Sequence, residues 1–207
     1  SAASDVYKRQ VMAGQGTIGM EILRDQPAVD MILVPAGGGG LLSGVAACVK
    51  QINPRIEVIG VQAEGAPAIV NSFHQDSILA SDAVHTIADG IAVKCPGTKT
   101  MEHINTFVDD MVTVSDDDIA ATILMLLERT KQVVEPAGAS SLAALLAGKR
   151  DFAGKKVACV LSGGNIDVSF IHRIVEKGLV TRYRHMKFNV IMPDVPGSLE
   201  RLAGIIA

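Results

Sequence analysis

Short apolar runs alternating with stretches of helical spacing constrain this 207-residue chain more than any other feature. The runs are MILV at 31–34, IEVIGV at 56–61, MVTV at 111–114 and KVACVL at 156–161. Between them, apolar residues recur at the three- and four-residue intervals of a helix face. This alternation predicts an α/β fold, a parallel sheet flanked by helices.

The clearest unit is VDMILVPAGGGGLLSGVAACV, residues 29–49. After Gly40, an apolar face runs through Leu41, Leu42, Val45, Ala46, Val49 and Ile52, and Asn53 with Pro54 stops the helix. Strand, glycines, helix and next strand make a βαβ unit. A second helix begins at Ser115, a good N-cap, and Asp116, Asp117 and Asp118 oppose the positive end of its dipole. A third starts at Pro136 and ends at Gly148. LSGGN then follows a buried strand and precedes DVSFIHRIVEKG, a further strand, glycine turn and helix.

Composition narrows the function classes. With 48% hydrophobic and 20% charged residues the chain forms a core, and with 3% aromatics and no Trp that core rests on Ala, Val, Ile, Leu and Met. A net charge of −3 argues against a nucleic-acid partner. The apolar-rich run 119–127 is far short of a bilayer span, so no membrane partner is expected. Cys48, Cys95 and Cys159 form no CxxC pair, which points away from disulfides and zinc and toward a reducing, cytoplasmic setting. His74, His85, His103, His172 and His185 show no ligand spacing, so no metal is expected.

Gly37, Gly38, Gly39 and Gly40 fit neither common glycine signature. A dinucleotide motif needs glycine where Leu42 sits, and a P-loop needs Lys and Ser/Thr where Leu41 and Leu42 sit. What remains is a bare backbone at a strand-to-helix junction, able to aim several N–H groups at one anion such as a phosphate; a plain glycine-rich turn is the alternative. Parallel strands present their carboxyl ends on one edge, which would set Ser162 beside these glycines. Its hydroxyl hydrogen-bonds without adding charge, which suits a ring nitrogen that stays unprotonated.

Seven ordered motifs, AGQGTIGMEIL, VPAGGGGLLSG, GVQAEGAP, TIADGIAV, DDMVTVSDDDI, VVEPAGA and VLSGGNID, together resemble the threonine dehydratases (threonine ammonia-lyases) of the tryptophan-synthase-β-like, fold type II pyridoxal-phosphate enzymes. MKFNVIMPDVPGSLERLAGIIA resembles the opening strand and helix of an ACT domain, an α+β amino-acid-sensing module. The resemblance implies that Gly37, Gly38, Gly39, Gly40 and Leu41 hold the phosphate of pyridoxal 5'-phosphate, and that Ser162 faces its pyridine nitrogen. Gly90 and Glu135 then line the pocket. The implied reaction is β-elimination of L-threonine, with L-serine as a second substrate, to a 2-oxo acid and ammonia. It also implies a homo-oligomer, with an amino-acid effector near Asp194, Pro196, Gly197, Ser198 and Leu199.

Several features depart from that pattern. The lysine that anchors the cofactor as a Schiff base belongs to a Ser-x-Lys context of the family's N-terminal half, and no lysine here stands in such a context. No catalytic residue is therefore expected in this chain, which should be inactive alone. Residues 1–10 read as a non-native leader, 11–180 as the C-terminal part of the lyase domain, 181–186 as a linker and 187–207 as an incomplete ACT domain. Serine racemases place acidic metal ligands where this chain has Gln62 and Ala68, so no such metal site is expected. Alternative readings are a serine racemase or hydroxyaspartate dehydratase of the same fold, and a non-catalytic ACT-linked amino-acid sensor.

Overall fold

Strand β1 (Met31–Pro35) is buried at every position, and β2 (Glu57–Ala63) at all but its first. The computed structural model, which describes residues 2–181, 183–186 and 189–206, places both inside a four-stranded sheet of order β3-β2-β1-β4. Strands β3 (Asp110–Val114) and β4 (Val157–Cys159) form its edges, and every pairing is parallel. Parallel strands need helical crossovers, which cover both faces and account for the unbroken apolar runs.

Alternate residues feed two cores. Ile32, Val34 and Val58 face helices α2 (Gly40–Ile52), α3 (Ala68–His74) and α4 (Thr98–Phe107). Leu33, Ile59 and Val61 face α5 (Asp116–Arg129) and α6 (Pro136–Leu146). Helix α1 (Ala2–Asp25) packs on α2, and α7 (Val168–Thr181) packs on α5.

The expected helix boundaries follow from local chemistry. Ser115 Oγ accepts from the amide of Asp118 at 3.1 Å, a side-chain cap at the start of α5. Pro136 occupies the first turn of α6, and Gly148 follows its end at φ +61°. The apolar run at 156–161 gives a strand of only Val157–Cys159, because beyond Val160 the chain turns off the sheet edge. Helix α1 continues through position 10 without a break.

The turn at 193–197 is followed by helix α8 (Ser198–Ile206), and residues 189–192 pair with no strand among those described; Lys187 and Phe188, where the expected strand of the ACT-like segment opens, lie outside the described residues. Asn189, Val190, Ile191 and Met192 are exposed. No helix among the described residues is long and apolar enough to cross a membrane.

Candidate functional site

Strands β1 and β4 are neighbours, with Leu33 opposite Cys159. Val160 N then donates to Leu33 O at 3.0 Å, which carries the pairing to the threshold of both turns. The glycine turn after β1 and the Ser162 turn after β4 therefore leave the same edge of the sheet side by side.

Gly39 adopts φ +85° as the N-cap of α2, a left-handed conformation in which side-chain-bearing residues are strained. A Cβ there would also stand 2.9 Å from Ile104 Cδ1 and 3.0 Å from Thr100 Cβ, both on α4. Ser43 N makes the first intrahelical bond of α2, to Gly39 O at 2.9 Å, and the Ser43 hydroxyl donates to the same carbonyl at 2.6 Å. The amides of Gly40, Leu41 and Leu42 thus have no acceptor within the helix. No side chain caps this terminus and no acidic residue occupies its first turn. At α5 the opposite holds, since Asp116, Asp117 and Asp118 neutralise the first turn. Of the two helix starts, α2 is the one left open to an external anion.

Close approaches connect the other sequence-derived residues. A Cβ on Gly37 would lie 2.9 Å from Gly90 O and 3.2 Å from Ile91 Cα, so the glycine turn rests directly on the 3₁₀ turn Asp89–Ile91. A Cβ on Gly90 would lie 2.9 Å from Ala137 Cβ and 3.9 Å from Glu135 Oε1. A Cβ on Gly163 would run into the Glu135 carboxylate, and Glu135 N donates to Gly163 O at 3.0 Å. Gly37, Gly90, Glu135 and Gly163 are therefore one continuous set of contacts. Ser162 precedes Gly163, is exposed, and borders a cleft of about 400 Å³ with Gln132, Val133 and Val134. A larger cleft of about 710 Å³ is lined by Asp89, Pro136, Asn165, Asp167 and Arg173. Asp194, Pro196, Gly197, Ser198 and Leu199 lie at the start of α8 and take no part in these contacts.

Two side chains have roles that the sequence did not reveal. Asp116 accepts from the Thr86 hydroxyl at 2.5 Å and from Ile87 N at 3.0 Å, which ties the start of α5 to the segment carrying Gly90. Gln62 is fully buried, and its Oε1 accepts from the amides of Ile69 and Val70 at 2.9 and 3.0 Å. Its remaining polar atom, Nε2, is a donor, where a cation would require an acceptor. Glu64, next along the strand end, is exposed and paired with Lys149 at 3.1 Å.

Cys159 sits at the base of the Ser162 turn. Burial pushes its thiol up to about 12, so it remains a neutral thiol at physiological pH and offers no nucleophile. At pH 8, iodoacetamide is expected to label the exposed Cys95 and to leave Cys159 unmodified until the protein is denatured, as peptide mass spectrometry would show. The same shift makes stability fall as pH rises from 9.0 toward about 12, because the unfolded thiol ionises first.

The family model described as "Pyridoxal-phosphate dependent enzyme" matches residues 2–163, a span that ends within the Ser162 turn and contains every contact of the cluster. The chain belongs to this family. Among pyridoxal-phosphate dependent enzymes it is 50% identical, over 95% of its length, to the L-threonine ammonia-lyase of Thermotoga maritima. That alignment covers 49% of the relative, so the chain spans about half the length of the curated relatives it matches. The crystal structure of a T.th. threonine deaminase superposes with a TM-score of 0.72 at 40% identity, covering 75% of this chain and 57% of that one. Maize serine racemase superposes with a TM-score of 0.73 at 35% identity, covering 83% and 54%. The family match begins at residue 2, inside the ten residues that the sequence reading set apart as a leader.

The residues at this edge suit the family's cofactor. Uncapped amides could donate to a phosphate, small residues would leave room for its close approach, and a neutral hydroxyl stands on the turn after the neighbouring strand.

Proposed function

We propose that this chain is the phosphate-holding part of an L-threonine ammonia-lyase, which deaminates L-threonine, with L-serine as a second substrate, by β-elimination. The observation that carries the reading is the uncapped start of α2 beside the Ser162 turn, in a chain 50% identical to relatives named for threonine deamination.

In this reading the backbone amides of residues 37–41 grip the phosphate, and the dipole of α2 adds to the hold. Ser162 donates a hydrogen bond to the pyridine nitrogen without protonating it, as a carboxylic acid at that place could. Gly90 supports the glycine turn from below, and the Glu135 carboxylate backs Gly163 and so sets the height of Ser162. Bound pyridoxal phosphate supplies the electron sink for removal of the α-proton and then the hydroxyl.

The lysine that would carry the proton is not assigned to this chain. No lysine of this chain stands in the Ser-x-Lys context that the resemblance implies for the cofactor anchor. Residues 1–207 alone, with threonine and pyridoxal phosphate, are therefore expected to give no 2-oxobutanoate above a protein-free control. Fused to the part of the Thermotoga maritima relative that it does not span, the same chain is expected to produce 2-oxobutanoate at an enzymatic rate. A fusion that folds and binds pyridoxal phosphate but leaves threonine unchanged would contradict the threonine assignment.

The rest of the reading follows the family resemblance. The resemblance implies a homo-oligomer in the cytoplasm, with an amino-acid effector near Asp194 and Pro196–Leu199, at the turn that precedes α8. Gln62 favours a lyase without the acidic metal site of the racemase branch, since its acceptor oxygen is engaged by two amides.

A further inference from the structure

Ala36 N donates to Val61 O at 2.8 Å, and from that bond the glycine turn leaves the sheet. The turn rests on Gly90, in a loop between α3 and α4 that contains no longer element than the 3₁₀ turn Asp89–Ile91. What fixes that loop therefore bears on the position of the phosphate cradle at Gly37.

Three sets of hydrogen bonds flank Gly90 in this loop. His85 N donates to Gly65 O at 2.9 Å, and the backbones there are so close that a Cβ on Gly65 would collide with His85 O. Beyond Gly90, Ala92 N donates to Asp89 O at 3.0 Å and closes the 3₁₀ turn. Between these, both oxygens of one carboxylate are used: Asp116 Oδ1 accepts from Thr86 Oγ1 and Oδ2 from Ile87 N. Thr86 Oγ1 in turn accepts from Ala88 N at 3.1 Å, which leads to the buried Ala88 immediately before Asp89 and Gly90. Asp116 stands in the first turn of α5, and that helix is seated in the core through Ile119 and Ile123.

We infer that Asp116 is a positioning residue for the phosphate cradle: through Thr86 and Ile87 it sets Gly90 beneath Gly37. This rests on the reading that residues 37–41 hold a phosphate. Its neighbour Asp117 separates the two possible jobs of an acidic first turn. Asp117 offers the same helix-dipole charge but is exposed and paired with Lys177 at 2.9 Å, with no bond to the loop.

The experiment compares Asp116→Ala, Asp116→Asn, Thr86→Val and Asp117→Ala in the 207-residue chain. It reads amide hydrogen exchange at Ile87, Ala88 and Ala92, and affinity for pyridoxal phosphate by calorimetry. Loss of two charge-assisted bonds should speed exchange at Ile87 and Ala88 in Asp116→Ala and weaken the cofactor, each by about tenfold. Asp116→Asn keeps one acceptor and should recover part of both; Thr86→Val, isosteric and least disturbing to folding, should shift both by a few-fold, roughly. Asp117→Ala should shift neither. Equal effects of Asp116→Ala and Asp117→Ala, or unchanged affinity in both Asp116→Ala and Thr86→Val, would overturn the inference alone. A wild-type chain that takes up no pyridoxal phosphate would overturn the phosphate reading and this inference with it.

Discussion

Replacing Gly39 with alanine is expected to weaken pyridoxal phosphate binding by about a hundredfold and to cost the fold ~2–4 kcal/mol. Both effects have one origin. At φ +85° a Cβ is strained by its own backbone, and it would also press on Ile104 Cδ1 and Thr100 Cβ at 2.9 and 3.0 Å. The chain can relieve this only by changing the turn or by pushing α4 away, and either change re-aims the amides of Gly40 and Leu41. Gly38 provides the control, because a Cβ there meets nothing within 4 Å and the backbone is not left-handed. Gly38→Ala should leave stability within ~0.5 kcal/mol of the parent. Urea denaturation and calorimetric titration of the two variants decide the matter; equal stability would show that the left-handed turn is not required.

The second large effect is expected at the contact of α1 with α2. Gly44 approaches α1 so closely that a Cβ would run into Met12 O. From the other side, a Cβ on Gly16 would lie 3.2 Å from Gly44 O and one on Gly19 3.2 Å from Val45 O. The two helices thus approach backbone to backbone at these glycines, flanked by Met12, Ile18 and Ile22 of α1. Gly44→Val should lift α1 off α2, expose part of the face containing Val45 and Val49, and destabilise the protein by ~3 kcal/mol or more. Gly14→Ala, on the same helix in open space, should not destabilise. Proteolysis confined to α1 in the Gly44→Val protein would confirm that the helix is held by this contact. Unchanged stability would mean that α1 contributes little to seating α2, and hence little to the aim of its first amides.

What could be read in advance was what local patterns encode. The four strands and helices α2, α5 and α6 announce themselves through apolar period and end residues such as Ser115 and Pro136. That the turns after β1 and β4 leave the same edge of the sheet was legible too, given parallel strands. Helix α1 was not, since Gly14, Gly16 and Gly19 lower its helix propensity and interrupt the apolar face formed by Met12, Ile18, Ile22 and Leu23. Helix α4, TKTMEHINTF, commits only Thr100, Met101 and Ile104 to the core, too few to show a period. Asn189 to Met192 look like a strand because the residues suit one, yet pairing is a property of two segments and no second one among the described residues lies alongside. The anchoring of Thr86 by Asp116 spans 30 positions, and Asp116 alone looks like an ordinary dipole-countering residue. Side-chain chemistry near in sequence was visible, then, while contacts made by folding were not.

The central claim is that the bare start of α2 and the Ser162 turn close on one cofactor. Titrating the ¹⁵N-labelled protein with pyridoxal phosphate, and following backbone amides by NMR, tests it most directly. The amides of residues 38–41 and of Ser162 and Gly163 should shift together, with a single affinity that inorganic phosphate reproduces only at the glycine turn. Shifts in one turn without the other on adding pyridoxal phosphate, or saturable shifts elsewhere while both turns stay silent, would contradict it.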